Sequence, residues 1–209
     1  MKHILSVLIA LCLACGGTLH AQQAEKAKSI LDQAAANYKK SQGISIQFEG
    51  TQPGTLLLQG DCFYLNCGGV ESWFDGKTQW SYMQQNNEVT ISSPTPEELE
   101  TINPYAIINS YNTRFRYGYK GEENINGNKT YHLALAPKQK GDIKVISLWL
   151  SKNYSPVRII IKDHDGNAQT FNIRSYTHST YAATPLSPSN RNQRSVSTPK
   201  SIRKQKLWT

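Results

Sequence analysis

The sequence predicts a mainly β protein with an α lid: an incomplete, unclosed antiparallel β-barrel capped by an N-terminal helix and a short helical insertion. Three observations carry this expectation. Short segments with period-two alternation recur through most of the 209 residues, separated by Gly, Asn and Asp turn residues. One amphipathic segment of helical period precedes them, and a shorter one interrupts them midway. No helix-length crossovers join consecutive strands, so they meander into a single sheet that curls onto itself.

The chain opens on Met1-Lys2-His3, a short basic stretch, followed by a nearly unbroken apolar run from Ile4 to Cys15. Gly16-Gly17-Thr18 loosens the chain before Leu19-His20-Ala21. This is the layout of a cleavable secretory signal peptide over residues 1–21, its apolar part too short for a stable membrane anchor. An alternative places a lipid on Cys15, but the position three before it is Cys12, where such signals usually carry leucine. Either reading exports the protein.

Gln23 to Lys40 reads as one helix, with Ala27, Ile30, Leu31, Ala34 and Tyr38 on one face and Glu25, Lys26, Asp32 and Lys39 opposite. Gly43 is expected to end it. The period then changes to two at Ile44, Ile46 and Phe48. Strands follow at Thr55–Leu58 and Cys62–Leu65, and a hairpin at Glu71–Phe74 and Thr78–Tyr82 spans Asp75-Gly76, a dipeptide suited to a tight primed turn. Asn86-Asn87 turns the chain again before Val89 and Ile91. Thr95-Pro96-Glu97-Glu98 is a helix start in capping-box form, and Leu99 and Ile102 give it an apolar side. Asn103-Pro104 breaks it. Tyr105, Ile107, Ile108 and Tyr111 suggest a second short helix.

Strands resume at Phe115–Tyr119, Thr130–Leu135, Ile143–Leu150, Val157–Ile161 and Gln169–Tyr176, for roughly ten in all. Asn126-Gly127, Gly141-Asp142 and Asp165-Gly166 connect them. The body therefore spans residues 22–181, and residues 182–209 form a basic, Ser/Pro/Asn-rich tail.

Charge and motif content exclude several classes. The formal net charge is +8, but of the 23 basic residues Lys2 lies in the leader and six lie beyond Tyr181, where no acid occurs; the body holds 16 basic against 15 acidic residues. A nucleic-acid binder would carry its charge on a folded face, so nucleic acid is excluded as a partner. No serine stands in a nucleophile elbow and no glycine loop precedes a helix, so the chain reads as no enzyme, with no catalytic residues and no cofactor. Asp163-His164-Asp165-Gly166-Asn167 lacks the later ligands of a calcium loop and reads as a hairpin turn, leaving no metal site. His132, among strand residues, reads as structural. Glu97, Glu98 and Glu100 sit at a helix start, where the dipole favours them. Cys62 and Cys67 are the two cysteines of the exported body. A bridge between them needs a turn or bulge, because positions five apart on a strand face opposite ways, and the disulfide stays open.

The curled sheet has a wet outer face, marked by Lys144, Ser147, Arg158 and Lys162, and an inner face. The residues expected to line the inner cavity are Ile46, Phe48, Leu56, Leu58, Trp80, Tyr82, Leu148 and Leu150 from strands, with Leu99, Ile107 and Ile108 from the helical pieces. A curled apolar layer covered by short helices can hold something apolar.

Asp75-Gly76-Lys77-Thr78-Gln79-Trp80-Ser81-Tyr82, Glu88-Val89-Thr90-Ile91, Ser93 to Leu99, Asn103-Pro104-Tyr105, Pro156-Val157 and Asp163 to Asn167 occur in that order between about Ala24 and Tyr176. This series resembles the periplasmic outer-membrane lipoprotein carrier protein family, LolA-like, in its Bacteroidetes-type version. The resemblance implies an open barrel whose cavity shelters lipoprotein acyl chains. It further implies a monomeric periplasmic carrier that receives cargo from an inner-membrane lipoprotein transporter and passes it to an outer-membrane acceptor. A regulatory module of the same fold that senses lipoproteins, or a general lipid-binding module, is the alternative.

Two departures stand out. The family arginine that helps close the lid has no counterpart in Gln59-Gly60-Asp61. The expected closing strand is also replaced by the tail, which is either disordered or a frameshift product. A two-base shift with suitable codons can restore a family-like ending.

Overall fold

The computed structural model describes residues 22–96, 98, 99, 103 and 105–179. The leader, the tail with its frameshift reading, and Glu97, Glu100, Ile102 and Pro104 of the insertion lie outside the described residues.

Eleven strands form one antiparallel sheet. They are β1 (Gly43–Gly50), β2 (Gly54–Gln59), β3 (Cys62–Cys67), β4 (Val70–Phe74), β5 (Gln79–Met83) and β6 (Glu88–Ser92), then β7 (Phe115–Ile125), β8 (Asn128–Pro137), β9 (Ile143–Ser151), β10 (Pro156–Asp163) and β11 (Ala168–Ser179). Their order is β6-β5-β4-β3-β2-β1-β11-β10-β9-β8-β7. Two meanders are thus fused where the first strand pairs with the last. Ile46 lies opposite Tyr176 at that seam, and a bulge falls between Gln47 and Phe48. The edges β6 and β7 are not paired with each other, so the barrel is unclosed.

The turns show how local chemistry sets the register. Asn126 and Gly127 both take positive φ, at 51° and 83°, and join β7 to β8 as the two-residue primed turn that Asn-Gly favours. Asp75-Gly76 behaves differently. Gly76 has φ 95°, but Asp75 does not enter the left-handed region, and four residues separate β4 from β5. The Asp75 carboxylate Oδ1 accepts from the backbone N–H of Lys77 at 2.9 Å and of Thr78 at 2.7 Å. Asp75 N–H also donates to the Thr78 carbonyl at 3.2 Å, so the self-capped loop closes around Gly76-Lys77, one residue later than the Asp75-Gly76 turn expected.

Residues 22–40 form helix α1. Ala27, Ile30, Leu31, Ala34 and Tyr38 are buried, so the apolar stripe read from the sequence is the face laid on the sheet. The helix runs to residue 40, and Gly43 already belongs to β1. Helix α2, Ala106–Arg114, buries Ile107, Ile108 and Tyr111. Before it, Pro96, Glu98 and Leu99 are helical. The capping box is present there: Thr95 N–H donates to Glu98 at 2.7 Å, and Glu98 N–H donates to the Thr95 hydroxyl at 3.3 Å. Among the described residues no helix is long and apolar enough to cross a membrane.

The concave face beneath the helices

Antiparallel partners share a face, so the pairing register sorts every strand residue onto one of two sides. Starting from Ile46, the register runs through Leu56 to Leu65 in one direction. In the other it runs from Phe48 through Ile173, and the same face carries Phe171, Ile159, Leu148 and Leu133. This is the face on which α1 and α2 rest, because the helices' buried residues and these strand residues form one apolar cluster.

Eight of the eleven expected lining residues belong to that cluster: Ile46, Phe48, Leu56, Leu58, Ile107, Ile108, Leu148 and Leu150, none more than 6% exposed. Leu99 is half-buried and packs against it. Trp80 and Tyr82 do not belong there. Leu65 pairs with Ser72, and Ser72 with Ser81, which puts Trp80 and Tyr82 on the opposite, convex side. There Trp80 sits between Trp73 and Ile91 across β4, β5 and β6. Trp73 in turn lies against Tyr64, with ring centroids 5.5 Å apart. The aromatic hairpin is therefore mainly an outer ladder, and only Phe74 turns inward, stacking on Phe63 at 5.4 Å.

Under that ladder the concave side becomes polar. Ser72, Gln79 and Ser81 occupy it, with the two serine hydroxyls 2.8 Å apart and Gln79 Nε2 donating to the Ser81 hydroxyl at 3.0 Å. The greasy surface thus extends from β3 across the seam to β7 and stops at β5. Leu133, Leu135, Ile146, Ile159 and Ile161, which the sequence reading did not name as lining, supply much of it. Their signal was the same alternation that identified Leu148.

Several polar links pin the lid to itself and to the sheet; on α2, the Asn112 carbonyl accepts from Lys138 Nζ at 2.8 Å and the Arg114 carbonyl from Lys138 N–H at 2.8 Å. The Tyr111 hydroxyl on α2 donates to the Asp32 carboxylate on α1, whose other oxygen accepts from Lys28 at 2.7 Å. Lys28 and Tyr111 together hold the Asp32 carboxyl below its usual range. Tyr38 donates to the Gly60 carbonyl at 2.8 Å. Asn37 Nδ2 donates to the Asn153 carbonyl at 3.1 Å. The acceptor in Gln59-Gly60-Asp61 is thus a backbone carbonyl rather than a side chain. Burial pushes the Tyr38 hydroxyl up to about 12, so it remains a donor.

A cleft of about 290 Å³ opens beside β7, between the end of α2 and the β8–β9 connection. Phe115 and Ile143 belong both to its lining and to the central apolar packing, while Arg114, Lys138, Lys140, Glu98 and Asp142 add charge around them.

Elsewhere the polar groups serve structure. On the convex side the His132 ring stacks on Trp149 at 4.3 Å, and Glu123 contacts His132 Nδ1 at 2.6 Å and accepts from Trp149 Nε1 at 2.8 Å. Asp163 caps the β10–β11 turn through both carboxylate oxygens, accepting from Asn167 at 2.8 and 2.7 Å. Cys62 and Cys67 are free thiols at the two ends of the uninterrupted strand β3, which gives no bend to bring them together. Among the described residues no three His, Cys, Asp or Glu side chains cluster as metal ligands.

A family model described as outer membrane lipoprotein carrier protein LolA matches residues 17–167. No curated protein matches the chain significantly. Among solved structures the chain is similar to an uncharacterized conserved protein from Thermus thermophilus. That match has 14% identity and a TM-score of 0.55, over 76% of this chain and 91% of that one. It is also similar to lipoprotein LppX from Mycobacterium tuberculosis, at 12% identity and TM-score 0.46 over 74% and 96% of the two chains. A putative outer membrane lipoprotein-sorting protein domain from Vibrio parahaemolyticus matches at 15% identity and TM-score 0.42, over 75% and 94%. At 14% identity the Thermus likeness is one of fold.

Proposed function

Because the chain belongs to the outer membrane lipoprotein carrier protein LolA family, we propose that it is a non-enzymatic periplasmic carrier. It would shelter the acyl chains of lipoproteins on its concave face between an inner-membrane transporter and an outer-membrane acceptor. The observation that carries this reading is the way the concave face is covered. Its aliphatic residues are closed off by two separate helices rather than by a second sheet, on a barrel that stays open between β6 and β7.

That arrangement suits exchange. The side chains that α1 and α2 bury are chemically close to the methylenes of a fatty tail. Replacing one with the other trades hydrocarbon contact for hydrocarbon contact, each methylene contributing about 0.8 kcal/mol on either side of the exchange. Burial of this kind is non-directional, so a displaced helix loses little specific geometry beyond its polar links. A carrier needs such near-balance, since cargo held too tightly would not be passed on.

Native mass spectrometry of the full-length protein incubated with a diacylated lipopeptide tests the reading. A one-to-one adduct is expected, and competition by excess free lipopeptide should exchange it. Absence of any adduct under conditions that preserve the fold would overturn the carrier assignment.

A further inference from the structure

The buried tyrosines of the concave core differ in one respect. Tyr38 donates its hydroxyl to Gly60, and Tyr111 donates to Asp32. Tyr105 is more deeply buried than either, at 2% exposure, yet among the described residues no group pairs with its hydroxyl. Buried phenols nearly always find an acceptor, because leaving one unpaired forfeits its hydration without return.

Tyr105 is also held in place. Its backbone N–H donates to Asn103 Oδ1 at 3.0 Å, its carbonyl accepts from Ile108 N–H at 3.1 Å, and its ring stacks on Tyr176 at 6.3 Å. Tyr176 lies on the seam opposite Ile46, on the concave face. The unpaired hydroxyl is therefore carried by the lid, directly before α2, and enclosed in the apolar cluster that the lid covers. Burial raises its pKa well above 10, so it stays protonated across the physiological range.

Resting on the carrier reading, we infer that the Tyr105 hydroxyl is the donor for an acyl carbonyl of the bound cargo, so the site recognises chains linked through ester carbonyls and not merely hydrocarbon. A fatty tail alone offers this hydroxyl nothing. The ester that attaches the tail to a glyceryl group is a strong acceptor that must itself lose water on entering the apolar interior. Pairing the two satisfies both groups at once and sets how deep the chain is seated. A pocket that discriminates by leaving a polar group unpaired with the wrong ligand separates close analogues better than shape does.

Two synthetic lipopeptides of identical chain length, one with ester-linked palmitoyl groups and one with ether-linked hexadecyl groups, test this with the full-length protein. Wild type is expected to hold the ester probe roughly five- to tenfold more tightly, the range of one neutral hydrogen bond. Tyr105→Phe should bind both probes equally, at the affinity wild type shows for the ether, and should melt no lower than wild type because it removes an unpaired group. Equal binding of the two probes by wild type, or an ester preference that survives in Tyr105→Phe, would overturn the inference and leave the carrier reading intact. Failure of wild type to bind either probe would instead overturn the carrier reading. An independent check uses wild type alone, with the ester carbonyls of the probe isotopically labelled. Their infrared band should move to lower frequency on binding, relative to the same probe in alkane, and an unshifted band counts against the inference.

Discussion

The Tyr111 hydroxyl of α2 donates to the Asp32 carboxylate of α1, 79 residues away, and joins the two helices that cover the concave face. The acceptor is half-exposed and shared with Lys28, so the link sits at the solvent edge of the lid rather than in its core. A lid fastened there can open without first exposing a buried charge.

Acid should loosen this fastening. Asp32 has a folded-state pKa below its ordinary 3.8, lowered first by Lys28 and then by Tyr111. A depressed carboxyl contributes stability that is present above the unfolded pKa and is lost as pH falls through the folded one. The melting temperatures of wild type and Asp32→Asn should therefore differ near neutrality and converge below about pH 3.8, where the carboxylate takes up its proton. Tyr111→Phe should lower stability by about 1 kcal/mol at pH 7. A pH-independent gap between wild type and Asp32→Asn would show that the carboxylate charge does not hold the lid.

The two faces can be told apart by matched substitutions. Leu148 is 2% exposed on the concave side, and Leu148→Ala should cost about 2–5 kcal/mol in denaturant unfolding. Trp80→Glu, on the convex ladder, should leave the lipopeptide adduct in place, whatever it does to solubility. Loss of the adduct in Trp80→Glu at unchanged fold would mean that acyl chains use the outer side.

Gly54 is expected to resist replacement. It pairs with Phe48, and a Cβ added there would lie 2.6 Å from the Phe48 ring and 2.6 Å from the Asn66 carbonyl. The backbone atom cannot yield cheaply, so Gly54→Ala should destabilise by about 1–3 kcal/mol, as overpacking does. Equilibrium unfolding in urea would register this as a lower midpoint with an unchanged slope.

The thiols should stay separate. Cys62 and Cys67 point to opposite sides of β3, and burial raises the pKa of each, which slows their reaction as thiolates. Intact mass after mild oxidation of the folded protein should show both thiols still open to alkylation once it is denatured. An internal bridge formed without unfolding would contradict the straight strand.

Alternation and turn residues were enough to determine the strands, the leading helix and the capping box at Thr95 and Glu98, because each depends on residues only a few positions apart. The same local rule showed that Trp80 and Tyr82 share a side, but not which side. Which side is concave follows from pairings such as Leu65 with Ser72 and Ile46 with Tyr176, and from where α1 and α2 come to rest. The links from Tyr111 to Asp32 and from Tyr38 to Gly60, and the unpaired hydroxyl of Tyr105, likewise arise only when distant segments meet. Side-chain period is a property of the strand alone. Burial belongs to whatever packs against it, and that is settled only by the assembled sheet and its lid.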